Sequence, residues 1–277
     1  MTAQENHLTK ERMVAAFIVL STFAMFCPAV ARSDEPSARR QEWVEIPVTQ
    51  NRVVRALVAY PDSATPATVV VVLHEDRGLT NWERGIVDRL AARGYVAIAP
   101  DLLSDVASKG GGTDSFETTA AAREAVYQLK PDQVAADIDA VCAFARKAPE
   151  GNQRIAVAGF CWGGARAFEY ATHNPEVAAT LVFYGAAPGV DQMKNIHTPV
   201  HGFYGENDTR VTGDLNKVKT QMKDTGKVFQ AVTYSGAAHG FLRTGAAKDA
   251  RPADRKAHDE AWARLTLILD GLTATSP

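Results

Sequence analysis

The chain has 277 residues, 46% of them hydrophobic and 22% charged, with a formal charge of −2. That is enough apolar material for one large core, and a single α/β domain of this size is common. No basic run or stripe offers a footprint for nucleic acid, and a solvated segment accounts for the one tight basic pair near the start, Arg39-Arg40.

In chain order, Lys10 and Arg12 come first, then an apolar stretch over residues 13–26, then Ala29-Val30-Ala31, the small-x-small form of a cleavage site. That succession predicts a secretory signal peptide over residues 1–31 and a mature domain over 32–277, exported to the periplasm or the medium. The alternative reading is an uncleaved N-terminal anchor, although a spanning helix needs about 20 apolar residues. Phe26 is too bulky to stand before a lipid-modified Cys27, and Arg39-Arg40 follow the apolar stretch, where they cannot act as an export signal. With the leader removed, no membrane contact is expected. Only Cys142 and Cys161 then remain, too few for a disulfide framework. Helical spacing in VAADIDAVCAFARK puts Cys142 on the apolar face, as a small buried hydrophobe.

Beyond a polar stretch at 32–41, WVEIPV and VVRALVAY alternate as strands do and predict an opening hairpin. The unbroken β-branched run at 69–73 reads as a strand buried on both faces. A helix over 81–93, the strand YVAIAP, a glycine-rich KGGGTD loop and helices over 116–129 and 131–147 follow. Next come strand RIAVAG, helix ARAFEYATH, strands AATLVFYG and PVHGFYG, a helix near 215–224, strand VFQAVTY and a last helix from about Arg255. Strands alternating with helices predict one domain with a mostly parallel sheet and helices on both faces. KGGGTD lacks the Gly-Lys-Ser/Thr ending of a phosphate loop and reads as a flexible connection.

The sharpest chemical signal is Gly159-Phe160-Cys161-Trp162-Gly163-Gly164, between a buried strand and a helix. A strand that turns sharply into a helix lifts its central residue above the sheet, and flanking glycines are needed because side chains there would collide. The turn leaves Cys161 at a helix N-terminus, where the dipole and free N–H groups favour a thiolate. A nucleophile at this elbow expects an acid and then a histidine further along the chain. Asp208, in GENDTRV after PVHGFYG, and His239, in SGAAHGF after VFQAVTY, stand there. Each falls past the C-terminal end of a strand, the edge where open α/β sheets build their sites. The bland readings are a helix N-cap for Asp208 and a backbone-bonded loop histidine for His239. Glu206 is the competing acid, closer to its strand. In LHEDRG, after the strand at 69–73, the backbone amide of Asp76 would join that of Trp162 as an oxyanion hole. Glu75 is an ionisable group at the same strand mouth, free to act on the thiol, pair with Arg77 or cap the next helix.

Taken together, HEDRG, GYVAIAPDL, GFCWGG, YGENDTRV and AAHGF resemble the motifs of the dienelactone hydrolase family, over most of the mature chain. The resemblance implies a single-domain α/β-hydrolase fold with Cys161, Asp208 and His239 as its triad and Glu75 as the family's glutamate near the thiol. It implies that Arg243, four residues after His239, and Arg123 hold a substrate carboxylate, with Tyr127 in the pocket. The exported leader departs from the pattern expected of intracellular aromatic-ring breakdown. The expected chemistry is thiolate attack on a small-molecule ester or lactone, with a thioester intermediate and no metal or organic cofactor. General carboxylesterase or thioesterase activity is the alternative at the same site, and an exported binding protein with an idle site is the alternative of another class.

Overall fold

Gln41–Thr49 (β1) and Arg52–Ala59 (β2) pair antiparallel as the expected hairpin, with Glu45 opposite Arg55. The computed structural model describes residues 39–108 and 110–274. The expected leader and its cleavage site lie outside the described residues.

After the hairpin, Ala67–Leu73 (β3), Asn81–Ala91 (α1) and Val96–Pro100 (β4) lead to Thr119–Gln128 (α2) and Pro131–Arg146 (α3). Gly151–Phe160 (β5), Trp162–Tyr170 (α4), Ala179–Phe183 (β6), Val190–Met193 (α5) and Val200–Gly205 (β7) follow. The described chain closes with Thr209–Thr212 (α6), Leu215–Asp224 (α7), Phe229–Tyr234 (β8), Phe241–Thr244 (α8) and Pro252–Ala274 (α9). Among the described residues, eight strands form one sheet in the order β1-β2-β4-β3-β5-β6-β7-β8. β2 is antiparallel to β4, and every pairing from β4 through β3 to β8 is parallel. The strand run, the parallel sheet and the strand and helix that flank the elbow all match the sequence reading.

The burial of β3 explains why it reads as continuous apolar sequence. Val70 and Val72 pack into the layer with Val87 and Leu90 of α1 and Trp262 and Leu265 of α9. Val69, Val71 and Leu73 pack into the opposite layer with Val134, Ile138 and Val141 of α3. Each such side chain contributes about 1.5–3 kcal/mol of burial relative to exposure, so none of these five positions can be polar without loss. Cys142 sits in the second layer with no exposed surface, on the face that its helical spacing indicates.

Local chemistry fixes the ends of the elements near the strand mouths. Thr80 caps α1, and Glu83 returns a carboxylate oxygen to the Thr80 amide at 3.0 Å, a reciprocal box that satisfies two opening donors. Arg52 forks onto the buried Asp137 of α3, with Nε 3.0 Å from Oδ1 and Nη2 2.7 Å from Oδ2, tying the hairpin to the core. The glycine-rich segment is firmer than expected at its far end. Asp101, just past β4, accepts from the Thr113 amide at 2.6 Å and from Thr113 Oγ1 at 2.8 Å, and Thr113–Ser115 forms a short 3-10 turn.

Candidate active site

Cys161 joins β5 to α4 with φ 53° and ψ −112°, a conformation that costs a non-glycine residue roughly 1–3 kcal/mol and persists only when its surroundings dictate it. The glycines around it supply that dictation. A Cβ at Gly159 would stand 2.0 Å from the Gly163 carbonyl oxygen, and one at Gly163 would stand 2.3 Å from that of His74. The helix therefore starts in backbone contact with the exit of β3. That closeness brings the amide of Trp162, first residue of α4, toward the His74–Asp76 loop, and an opening helical amide has no partner within its helix. His74 is fully buried, bonds the Glu75 carbonyl through Nδ1 at 2.7 Å and stacks on Trp162 with ring centroids 5.6 Å apart.

The structure brings Cys161, His239 and Asp208 together. His239 Nε2 is 3.1 Å from Cys161 Sγ, and Nδ1 is 2.5 Å from Asp208 Oδ2. Gly205 lets this happen: a Cβ there would meet the Ala237 and Ala238 carbonyl oxygens at 2.6 Å, so only glycine lets the histidine loop lie on the end of β7. Asp208 does occupy the N-cap position of α6, yet its side chain makes no capping bond and goes to the imidazole instead. Glu206 is elsewhere, accepting from Ser235 Oγ at 2.9 Å and the Gly236 amide at 2.7 Å. Burial lowers the His239 pKa, but the hydrogen bonds to Asp208 and Cys161 outweigh it and hold the ring up at about 9. The raised pKa favours the protonated imidazole beside the sulfur.

Glu75 is buried at the same strand mouth, but it caps no helix and does not pair with Arg77. Its Oε2 takes Arg243 Nη2, its Oε1 accepts from Tyr184 Oη at 3.3 Å, and its own amide reaches Glu83 at 3.2 Å. Arg243, which the resemblance implies holds a substrate carboxylate, lies behind it: the guanidinium also sits 3.8 Å from Glu83 and 4.7 Å from the centre of the Trp82 ring. Burial lowers the Arg243 pKa and raises that of Glu83, which is the environment of a charge network removed from water. Arg123 and Tyr127 both turn to Asp76, Arg123 Nε at 2.8 Å and Tyr127 Oη at 3.3 Å. Both of the expected carboxylate holders therefore already have an acidic partner.

A cavity of ≈ 210 Å³ opens over the sulfur, walled by Cys161, Trp162, Tyr127, Tyr184, Arg210 and His239, with Ala165, Ala186 and Val211 completing it. Tyr184 and Arg210 were not singled out by the sequence reading. Tyr184 is buried at φ 42°, donates to Glu75 and meets the His239 ring edge-on at 5.0 Å, so it links the two. Its signal was position: it is next to last in AATLVFYG, just past β6, the strand that pairs with the one leading into the elbow. Arg210 lies against the imidazole, Nη2 3.2 Å from Nδ1 and 3.4 Å from Nε2, and it stands two residues after Asp208. Among the described residues no group of three or more His, Cys, Asp or Glu side chains is placed to hold a metal ion.

A sheet of this order, with such an elbow after β5, is that of an α/β-hydrolase. Residues 54–272 match the dienelactone hydrolase family, and the chain belongs to it. A protein of Methylorubrum extorquens named "Putative carboxymethylenebutenolidase" is 31% identical over 80% of this chain and 78% of its own length. One of the same name from Yersinia pestis is 29% identical over 78% of this chain and 83% of its own. A crystal structure of a "Putative Dienelactone Hydrolase" from Klebsiella pneumoniae superposes with a TM-score of 0.71 at 26% identity, covering 83% of this chain and 98% of that one. The family membership makes this chain a hydrolase of carboxylic esters.

Proposed function

We propose that the chain hydrolyses a small ester or lactone bearing a carboxylate, with Cys161 as nucleophile, His239 as proton carrier and Asp208 as its orienter. The hydrogen-bonded line from Asp208 through His239 to the Cys161 sulfur, at the floor of a cavity, carries this reading. The thiolate adds to the carbonyl carbon, and the Asp76 and Trp162 amides take the oxyanion. Collapse breaks the ester C–O bond, and the leaving oxygen takes the proton from the His239 imidazolium. What remains is a thioester beside a neutral imidazole. Water then gives a proton to His239 Nε2 as it attacks, the C–S bond breaks, and the thiolate–imidazolium pair is restored with release of the acid. For a lactone the leaving oxygen stays tethered, so one product carries both ends. The leader over residues 1–31 supports export of the mature protein, with a first residue near Arg32 for N-terminal sequencing to find.

Substrate charge enters through Arg243. A carboxylate that binds it must compete with Glu75, so the arginine answers only to an anion placed as well as that glutamate. The test is hydrolysis of dienelactone, an activated phenyl ester and a thioester by the full chain and by its Cys161→Ala and Arg243→Ala variants. Cys161→Ala should abolish turnover of all three. Arg243→Ala should cost the acidic substrate about 1.5–3 kcal/mol more in kcat/KM than it costs the neutral esters, the worth of a hydrogen bond to a charged group. Turnover surviving Cys161→Ala would remove the nucleophile assignment. Equal losses on acidic and neutral esters would remove the carboxylate preference.

A further inference from the structure

The wall of the catalytic cavity formed by Ala186, Arg210 and Val211 is also the wall of a second, larger cavity of ≈ 290 Å³. That second space runs between α5 and α7. Val190, Met193, Leu215 and Val218 give it an apolar lining, and Arg210, Lys217 and Asp214 supply its charges, two cations to one carboxylate. Ala186, Arg210 and Val211 belong to both spaces.

Which part of a substrate would enter follows from the proton path. In the ester reading proposed above, on which this inference rests, the carbonyl oxygen points to the Asp76 and Trp162 amides and the leaving oxygen points to His239. Arg210 Nη2 lies within 3.4 Å of both ring nitrogens of His239, and the second cavity begins at Arg210. It therefore adjoins the leaving-group side. We propose that it is a subsite for the alcohol part of the ester, an aliphatic arm ending in an anionic group that Arg210 and Lys217 hold. The chemistry agrees with the lining. An unbranched apolar stem gains from contact with Val190, Met193 and Val218, and its charged end needs cations at the mouth. Arg210 is better placed for that than Arg243 or Arg123, because its side chain is 71% exposed and its one carboxylate neighbour, Asp208 Oδ1, is 3.9 Å away.

Acetate release from methyl acetate, n-butyl acetate and O-acetyl-γ-hydroxybutyrate by the full chain tests this. The arm-bearing anionic ester should exceed methyl acetate by at least tenfold in kcat/KM, and exceed the butyl ester as well. Val190→Trp, at a position 43% exposed and so tolerant of a larger side chain, should fill the cavity and reduce the ratio of long to methyl ester about tenfold. Lys217→Glu, at an exposed helix position, should reduce only the ratio of anionic to butyl ester. Ratios that do not respond to Val190→Trp would overturn the subsite. Ratios that respond to Val190→Trp but not to Lys217→Glu would overturn the anionic end. Turnover of all three esters at equal rates would sink this inference and leave the ester reading standing, whereas no turnover of any would sink both.

Discussion

Cys161 and Cys142 are the same side chain beside the same sheet, and the protein treats them in opposite ways. Cys142 rides on α3 within a closed apolar layer, has no exposed surface, and burial pushes its thiol up to about 11. Cys161 is partly exposed on the floor of a cavity, held at a positive φ, with an imidazole 3.1 Å from its sulfur. A thiol becomes a nucleophile through what surrounds it, and neither the residue type nor its proximity to the core decides the matter. The backbone does most of the work here, because glycines at 159 and 163 put the sulfur where a helix begins and where a histidine loop can reach it.

The largest expected difference between the two is in turnover. Cys161→Ala should lower kcat on an activated ester by roughly 10⁴-fold or more, as removal of a nucleophile does. Cys142→Ala should leave kcat/KM within about twofold, since α3 contributes no side chain to the cavity. Steady-state hydrolysis of one ester by both variants checks it, and comparable losses would erase the distinction.

Next in size is the effect of removing the acid. Asp208→Asn keeps the shape of the loop but not the charge that holds the imidazolium, and an equivalent change in a serine triad costs about 10⁴ in kcat. The pH profile should move in a defined direction. Burial is the largest influence on His239 and lowers its pKa, so without Asp208 the value should fall from about 9 toward or below the ordinary 6.5. The alkaline limb of Cys161 alkylation should move down with it. The same raised pKa stabilises the fold fully below pH 6.5, and that contribution is lost as pH rises through about 9. A profile unmoved by Asp208→Asn would show that Asp208 does not support the imidazolium.

Much of this contrast was legible in the sequence. The β-branched run of β3, the spacing of GFCWGG, and an acid then a histidine past two later strands are local patterns, and each reports a local constraint. Cys142 was legible for the same reason, through the 3.6-residue period of α3. What was not legible depends on chain segments far apart in sequence. Glu75 meets Arg243 across 168 residues and meets Tyr184 across 109, and no periodicity records either encounter. The resemblance implies that Arg243 holds a substrate carboxylate, but α8 turns it toward Trp82 and Glu83. The helices α5, α6 and α8 are four residues each, too short for a period to appear, and α6 is the one that carries Arg210 to the imidazole.

A smaller effect sharpens the comparison at the level of the thiols themselves. Under timed alkylation at neutral pH, Cys161 should react at least about 100-fold faster than Cys142, because the buried thiol must wait for local opening and also ionises only near 11. Peptide mapping at short times reads the ratio. Equal rates would mean that α3 opens as readily as the cavity is entered.

The smallest expected effect runs the other way, in stability. Cys142 packs among Ile138, Val141 and Ile155 with no exposed surface, so truncation to alanine leaves a small void that close-packed neighbours only partly fill. A loss of about 1 kcal/mol in urea unfolding follows, below the 2–5 kcal/mol of a larger leucine-to-alanine truncation because only the sulfur is removed. Cys161→Ala should stay within about 0.5 kcal/mol, since its sulfur faces a cavity and the strain at φ 53° is kept by either residue. Two-state urea curves with equal slopes are required for both variants, so that the midpoints alone carry the difference. If Cys161→Ala proved the more destabilised of the two, the sulfur at the elbow would be a packing element as well, and the opposition between the two cysteines would hold for reactivity but fail for the fold.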